Sequence, residues 1–296
     1  MRHAILGAGG VGGFIAACLA HIGESVTLVV RPQTLALHPP KLQLESPYGN
    51  WTVDVDWSAS VPPNDILWLT MKATQLDSAL RFVTNLESIR AVVPLLNGID
   101  HLQLLRSKFG SGRVVPATIA GEFERVSVGH IVHRTPFAVL NFSGKGRELL
   151  QALVDRLRVI GLTCNFIDDE PTLMWGKLVF LAPIALATAA FDRTVGEVVA
   201  DPTSRAKLEA SVREACAVAQ AESAKVDAEA VLNLFKKSPP AMRSSMQKDV
   251  ANGRPPELDA IGGPIIRAAQ RHGLTAAVTE ELMTAVARRV RSGDSD

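Results

Sequence analysis

The chain has 296 residues, 47% of them hydrophobic and 21% charged, with a formal net charge of +1 at pH 7. That composition suits a globular protein with a full core, and the length exceeds one typical domain. The near-zero charge leaves no electrostatic footprint for nucleic acid or an anionic membrane surface, and Cys18, Cys164 and Cys216 are too widely spaced to suggest a disulfide framework or a metal site.

Arg2 to Leu6 reads as a short strand, and Phe14 to Ile22 as an apolar helix of small residues. Between them lies Gly7-Ala8-Gly9-Gly10-Val11-Gly12, a G-x-G-x-x-G turn with a strand before it and a helix after it. Gly7 permits the tight turn, Gly9 lets a pyrophosphate approach the backbone, and Gly12 lets the helix lie close to the sheet. Free N–H groups at the start of the helix would face the phosphates. The apolar N-terminal run is broken by these glycines, which argues against a signal peptide. No run of about 18 uncharged apolar residues suggests a membrane span.

Ser25 to Val30 reads as a second buried strand, and Arg31 follows it directly. An acidic residue near this place would suit the ribose 2′-hydroxyl of NAD, whereas Arg suits the 2′-phosphate of NADP. Leu42 to Glu45 and Trp51 to Val55 alternate apolar and polar around a Pro-Tyr-Gly-Asn turn, which predicts a hairpin inserted in the sheet domain. Asp65 to Met71 is a continuous apolar strand ending at Lys72, on the side where open α/β sheets bind ligands. Gln75 to Leu86 reads as an amphipathic helix. Ala91 to Leu96 reads as a strand closed by Asn97-Gly98. Further strands are expected at 114–118, 129–133, 138–142 and 164–167, with a helix over 147–160.

From Thr172 onward only helical periods occur, at 172–191, 203–223, 226–238, 258–271 and 276–291. Strands and helices first, then helices alone, predict two domains: a Rossmann-type dinucleotide-binding domain over 1–168 and an all-helical domain over 169–296. The fold class is α/β with a helical C-terminal domain. Two residues in the helical half invite two readings each. Lys177 lies in a helix nearly devoid of charge, either snorkelling at its edge or buried with a lowered pKa that suits a proton donor. Glu257 follows Pro255-Pro256 at a helix start, either as a first-turn acid favoured by the dipole or as a functional carboxylate.

Gly7-x-Gly9-x-x-Gly12, Arg31, Met71-Lys72-Ala73-x-Gln75, Asn97-Gly98, Trp175-x-Lys177-Leu178, Ser244-Ser245-Met246-x-x-Asp249, Glu257-x-Asp259 and Arg271-His272-Gly273 occur in this order. Together they resemble the ketopantoate reductases (2-dehydropantoate 2-reductases), over residues 3 to about 274. The resemblance implies a Rossmann domain binding NADP(H), a C-terminal domain like that of 6-phosphogluconate dehydrogenase, and an active site in the cleft between them. It implies reduction of 2-dehydropantoate to pantoate in pantothenate biosynthesis by a cytoplasmic enzyme, as a homodimer, without metal.

Carried over by residue, Lys177 would be the general acid. Glu257 would bond the substrate hydroxyl, help to place Lys177 and touch the cofactor. Ser245 would hold the substrate carboxylate, Asn97 would sit by nicotinamide and substrate, and Lys72 near the nicotinamide ribose. Arg31 would take the 2′-phosphate, and the run Gly7, Ala8, Gly9, Gly10, Val11, Gly12 the pyrophosphate. The sequence departs from the family on the catalytic helix. Relatives resemble Lys-x-x-x-Asn-x-x-x-Asn, but here the two later positions are Leu181 and Ala185, expected on the face toward substrate. That departure motivates a second reading, the same reductase chemistry on a less polar or bulkier carbonyl compound. A third reading is a non-catalytic NADP-binding sensor, which would have no need of Lys177 and Glu257. Nucleic acid and membrane are not expected partners.

Overall fold

The computed structural model describes residues 1–84 and 86–293. Two compact units divide the chain, residues 1–96 with 101–170, and residues 97–100 with 171 onward. The first contains β1 (Arg2–Leu6), α1 (Gly10–His21), β2 (Ser25–Val29), β3 (Lys41–Glu45), β4 (Trp51–Asp54), β5 (Asp56–Ser58) and β6 (Ile66–Leu69). It continues with α2 (Leu76–Ala79), β7 (Ala91–Pro94), α3 (His101–Phe109), β8 (Ala117–Ala120), β9 (Phe123–Ser127), β10 (His130–His133), β11 (Val139–Ser143), α4 (Arg147–Val159) and β12 (Thr163–Ile167).

A five-stranded sheet runs β5-β2-β1-β6-β7, and each of its pairings is parallel. Every residue of β6 and β7 is buried, as befits strands covered on both faces. The expected hairpin β3–β4 is present in this unit. It joins β10 and β9 in a separate sheet of order β4-β3-β10-β9, where β3 and β10 pair in parallel. Alternation along β3 buries Leu42 and Leu44 and exposes its other residues, so one face has to cover a core. That core includes α1: Ile131 of β10 sits where a Cβ on Gly13 would fall, 2.4 Å away. A third sheet, β12-β11-β8, carries α4.

The helix expected over 75–86 is reduced to single turns, 310 at Ala73–Gln75, α2, and 310 at Leu80–Phe82, and residue 85 lies outside the described residues. Thr74, Asp77 and Ser78 are weak helix formers, and β-branched Val83 ends the last turn in an extended conformation. The expected strand at 114–118 starts only at Ala117, because Pro116 cannot donate to a ladder. Val114 makes one isolated bridge to Val92.

The second unit contains α5 (Glu170–Phe191, whose first residue groups with the first unit), α6 (Val195–Ala200), α7 (Pro202–Ala221), α8 (Ala228–Lys237), α9 (Ser245–Ala251), α10 (Leu258–His272) and α11 (Ala277–Gly293). α6 and α9 are too short to show a helical period and were not expected. α6 is fixed by a capping box between Thr194 and Glu197. α5 passes through Pro183 as one helix. By length and composition it could cross a membrane, but 72% of its most apolar window is buried inside the protein.

Candidate active site

The glycine-rich turn is set by its own packing. Gly7 has φ of +111°, and a Cβ there would lie 2.8 Å from the Met71 backbone nitrogen. The Thr70 hydroxyl, next to the end of β6, donates to the Gly7 carbonyl at 2.7 Å and braces the turn. A Cβ on Gly12 would fall 1.9 Å from the Gly7 carbonyl oxygen, and one on Gly10 would fall 2.1 Å from the carbonyl oxygen of Phe123. Gly9 is different, since a Cβ there would meet nothing within 4 Å. The protein's own packing gives no reason for glycine at that position. A bare backbone at the N-cap of α1, with no acidic side chain in the helix's first turn, fits a pyrophosphate in close approach. Ala8 and Val11 pack on the margin of the first core.

Arg31 and Lys72 both follow parallel strands at their carboxyl ends. Arg31 is exposed, and its carbonyl accepts from the Thr34 amide at 2.9 Å as it opens the 310 turn Pro32–Leu37. Lys72 opens the turn Ala73–Gln75 in the same way, its carbonyl accepting from the Gln75 amide at 2.9 Å.

In the second unit the structure brings three expected residues together. The Lys177 ammonium donates to Asn97 Oδ1 at 3.2 Å, and Asn97 Nδ2 donates to Glu257 Oε2 at 3.0 Å. Lys177 is half-buried and Glu257 buried. Burial pushes the Lys177 ammonium down to about 8, and the Glu257 carboxylate pulls it part of the way back.

The Asn97 segment and the loop ahead of Glu257 are held by residues whose role the sequence did not reveal. Asn97 is placed by its neighbours. Gly98 has φ of +81°, and a Cβ there would lie 2.1 Å from the Ala260 carbonyl oxygen, so the segment lies flat on α10. Arg267 on α10 donates to Asp100 at 3.0 Å and to Asp259 at 2.7 Å. Asp259 of the Glu-x-Asp pair therefore anchors the segment that carries Asn97. Glu257 is the N-cap residue of α10, and its carboxylate makes no side-chain cap. Ahead of it, Arg254 donates through Nε to Asp249 at 3.0 Å and through its backbone amide to the Asp249 carbonyl at 2.8 Å, closing the loop before the two prolines.

Ser244 and Ser245 separate. Ser244 is buried, caps α9 by accepting from the Gln247 amide at 3.1 Å, and accepts from the Thr188 hydroxyl of α5 at 2.7 Å. Ser245 is exposed at the first position of α9, and its hydroxyl makes no hydrogen bond among the described residues. Leu181 is half-buried against the helical core. Ala185 departs from the expectation of a substrate-facing position. It has no accessible surface and belongs to that core, because α5 is wrapped by its neighbours over most of its length. Among the described residues no cluster of three or more His, Cys, Asp or Glu side chains is placed to hold a metal ion.

Family models match most of the chain. The ketopantoate reductase PanE/ApbA model covers residues 3–143, and its C-terminal counterpart covers residues 171–290. The 2-dehydropantoate 2-reductase of Mycobacterium tuberculosis (strain H37Rv) is 30% identical over 294 residues, 96% of either chain. The chain belongs to the ketopantoate reductase family. The oxidoreductase YkpB of Bacillus subtilis is 27% identical over 292 residues, covering 95% of this chain and 96% of its own. Among solved structures, the PanE/ApbA family ketopantoate reductase of Ralstonia eutropha JMP134 superposes with a TM-score of 0.88 at 25% identity, over 99% of this chain and 100% of that one. A D-mandelate dehydrogenase bound to NADH and anilino(oxo)acetate shares the fold, with a TM-score of 0.86 at 22% identity over 99% of each chain.

As a ketopantoate reductase family member, the protein is a dinucleotide-binding oxidoreductase acting on CH–OH groups. Its Lys177 cluster is suited to that class. An ammonium held near neutrality in its proton affinity can protonate a nascent alkoxide, and its charge stabilises that alkoxide before the proton moves.

Proposed function

We propose that this reductase converts a 2-oxo acid to a 2-hydroxy acid with NADPH, with 2-dehydropantoate to pantoate, a step of pantothenate biosynthesis in the cytoplasm, as the leading substrate pair. The observation that carries this reading is the chain Lys177–Asn97–Glu257, with Lys177 lowered to about 8. NADPH, when bound, supplies the hydride to the carbonyl carbon. Lys177 gives a proton from Nζ to the carbonyl oxygen, completing the alcohol. Glu257 holds the substrate hydroxyl and keeps Lys177 charged at neutral pH. Asn97 orients the ammonium through Oδ1 while its amide nitrogen is tied to Glu257. Ser245, exposed with a free hydroxyl, takes the substrate carboxylate. Gly9 admits the pyrophosphate, Lys72 serves the nicotinamide ribose, and Arg31 serves the 2′-phosphate, which is the reason for naming NADPH over NADH.

A second reading keeps this chemistry and changes the substrate. Leu181 presents a half-buried apolar side chain one turn after Lys177, where ketopantoate reductases have an amide. A site that has lost a hydrogen-bonding group for a substrate hydroxyl gives up much of its preference for that hydroxyl. On this reading the preferred 2-oxo acid is less polar or bulkier on the side facing Leu181.

Oxidation of NADPH, followed by absorbance with 2-dehydropantoate and with a panel of branched and aromatic 2-oxo acids, tests both readings. NADH is run alongside. Highest kcat/KM on 2-dehydropantoate supports the first, and turnover concentrated on apolar 2-oxo acids supports the second. Binding of NADPH with no turnover of any 2-oxo acid would sink both and leave the sensor. A homodimer is the proposed assembly. A ketopantoate reductase of Staphylococcus aureus described as dimeric shares the fold at a TM-score of 0.80, and light scattering on this chain is the direct check.

A further inference from the structure

β9 forms an edge of the four-stranded sheet, and it passes directly over the first turn of α1, where its Phe123 carbonyl blocks any side chain on Gly10. Residues directly opposite in an antiparallel pair share a face. Arg125 of β9 lies opposite Ile131, and Ile131 is buried against Gly13 of α1. Arg125 is thus on the α1 side of its strand. Its guanidinium Nη1 donates to the carbonyl of Ala8, inside the glycine-rich turn, at 3.3 Å. Its charge is also felt at His38, whose imidazole is held below its ordinary pKa first by burial and then by Arg125. His38 closes the 310 turn that Arg31 opens. The Arg125 guanidinium therefore lies at the glycine-rich turn, with its charge reaching the segment that follows Arg31.

A cation in this place is unfavourable by itself. The N-terminus of α1 carries the positive end of the helix dipole, which repels it. No carboxylate among the described residues pairs with Arg125, and its neighbour Glu124 is bound to Arg134 at 2.7 Å. Gly9, meanwhile, leaves open space beside the same turn. An anion in that space would remove the repulsion and satisfy the free guanidinium N–H groups.

We infer that Arg125 is a phosphate-binding residue of the dinucleotide site, supplied by the edge strand of the second sheet in addition to Arg31. The inference rests on the NADPH reading above. The phosphate it meets is either the pyrophosphate or the adenosine 2′-phosphate, both being oxyanions that a guanidinium bonds well.

The test is the Kd for NADPH and for NADH, by fluorescence titration at low and high salt, in wild type, Arg125→Ala and Arg125→Gln. Gln retains a donor for the Ala8 carbonyl but has no charge. Both variants are expected to weaken NADPH about tenfold and to flatten its salt dependence, with thermal stability unchanged. An equal loss for NADH assigns the contact to the pyrophosphate, and a loss confined to NADPH assigns it to the 2′-phosphate. Either supports the inference. Unchanged affinity for both nucleotides overturns it, and so does a Gln variant that binds like wild type while Ala is weakened, since that pattern marks a brace for the turn. Wild type binding neither nucleotide would overturn the NADPH reading and this inference together, whereas normal wild-type binding with unaffected variants overturns this inference alone.

Discussion

The turn at Gly7–Gly12 and the cluster at Lys177 use opposite materials. In the sheet unit the candidate site is backbone. Three glycines are forced by neighbouring carbonyls and amides, and the fourth, Gly9, stands over open space. In the helical unit the candidate site is side chains, an ammonium, an amide and a carboxylate in series among apolar helices. Backbone sites tolerate little change without loss of fold or ligand affinity, whereas side-chain sites can lose a group and keep the fold. Damage to the first unit should therefore appear in stability and binding, and damage to the second in rate and pH dependence.

The largest expected effect is on Lys177. Lys177→Ala should lower kcat for 2-oxo acid reduction about a thousandfold while leaving the NADPH Kd within about twofold, as steady-state kinetics and titration would read. A similar loss in affinity would place Lys177 among the binding groups and blur the contrast. Glu257→Gln comes next. It removes the charge that raises the Lys177 pKa, so kcat near neutral pH should fall about tenfold and the alkaline limb of the pH profile should move below 8.

In the sheet unit, Gly12→Ala should cost about 2 kcal/mol of stability, because its Cβ would fall on the Gly7 carbonyl, and thermal unfolding would register a drop of several degrees. Gly9→Ala should leave that midpoint in place and weaken NADPH about tenfold. Equal destabilisation by the two substitutions would remove the distinction between a packing glycine and a ligand glycine.

The smallest effect lies in the pH dependence of stability. His3 is buried in the sheet core, accepts from Trp68 Nε1 at 3.1 Å, and is lowered by burial from 6.5 to about 4. The unfolded chain takes up this proton near pH 6.5 and the folded chain does not. The stability it contributes is complete above pH 6.5 and declines as the pH falls toward 4. In His3→Gln, denaturant midpoints between those limits should fall less steeply than in wild type.

The sheet unit's turn was legible because its evidence is local. Strand, glycines and helix adjoin in sequence, and Arg31 follows the next strand. The long helices were legible from their period. What escaped depended on distant partners or on length. β9 has little alternation of its own and is recognisable only from its pairing with β10. α6 and α9 are shorter than two helical periods. Alternation in the hairpin β3–β4 says that one face is buried and not against what, so the sheet it forms with β10 and β9 is not legible in the sequence.

In the helical unit, Lys177 and Glu257 had two readings each until the family resemblance joined them, and the structure then put them on either side of Asn97. The roles of Thr70 and Arg267 depend on contacts across long stretches of chain that no spacing rule reveals, and Asp259 acts through Arg267. Ala185 shows the limit of periodicity. Two turns after Lys177 places a residue on the same side of a helix, but it does not tell whether that side is still open so far along.

The measurement that bears most directly on Lys177 as proton donor is the pH dependence of kcat for reduction of the preferred 2-oxo acid, taken in both directions. Reduction needs the protonated ammonium, so its rate should fall as pH rises through about 8, and oxidation of the 2-hydroxy acid, which needs the free amine, should rise through the same midpoint. Rates in both directions that stay flat across pH 8 would contradict the account, and so would a midpoint near the ordinary lysine value of 10.5.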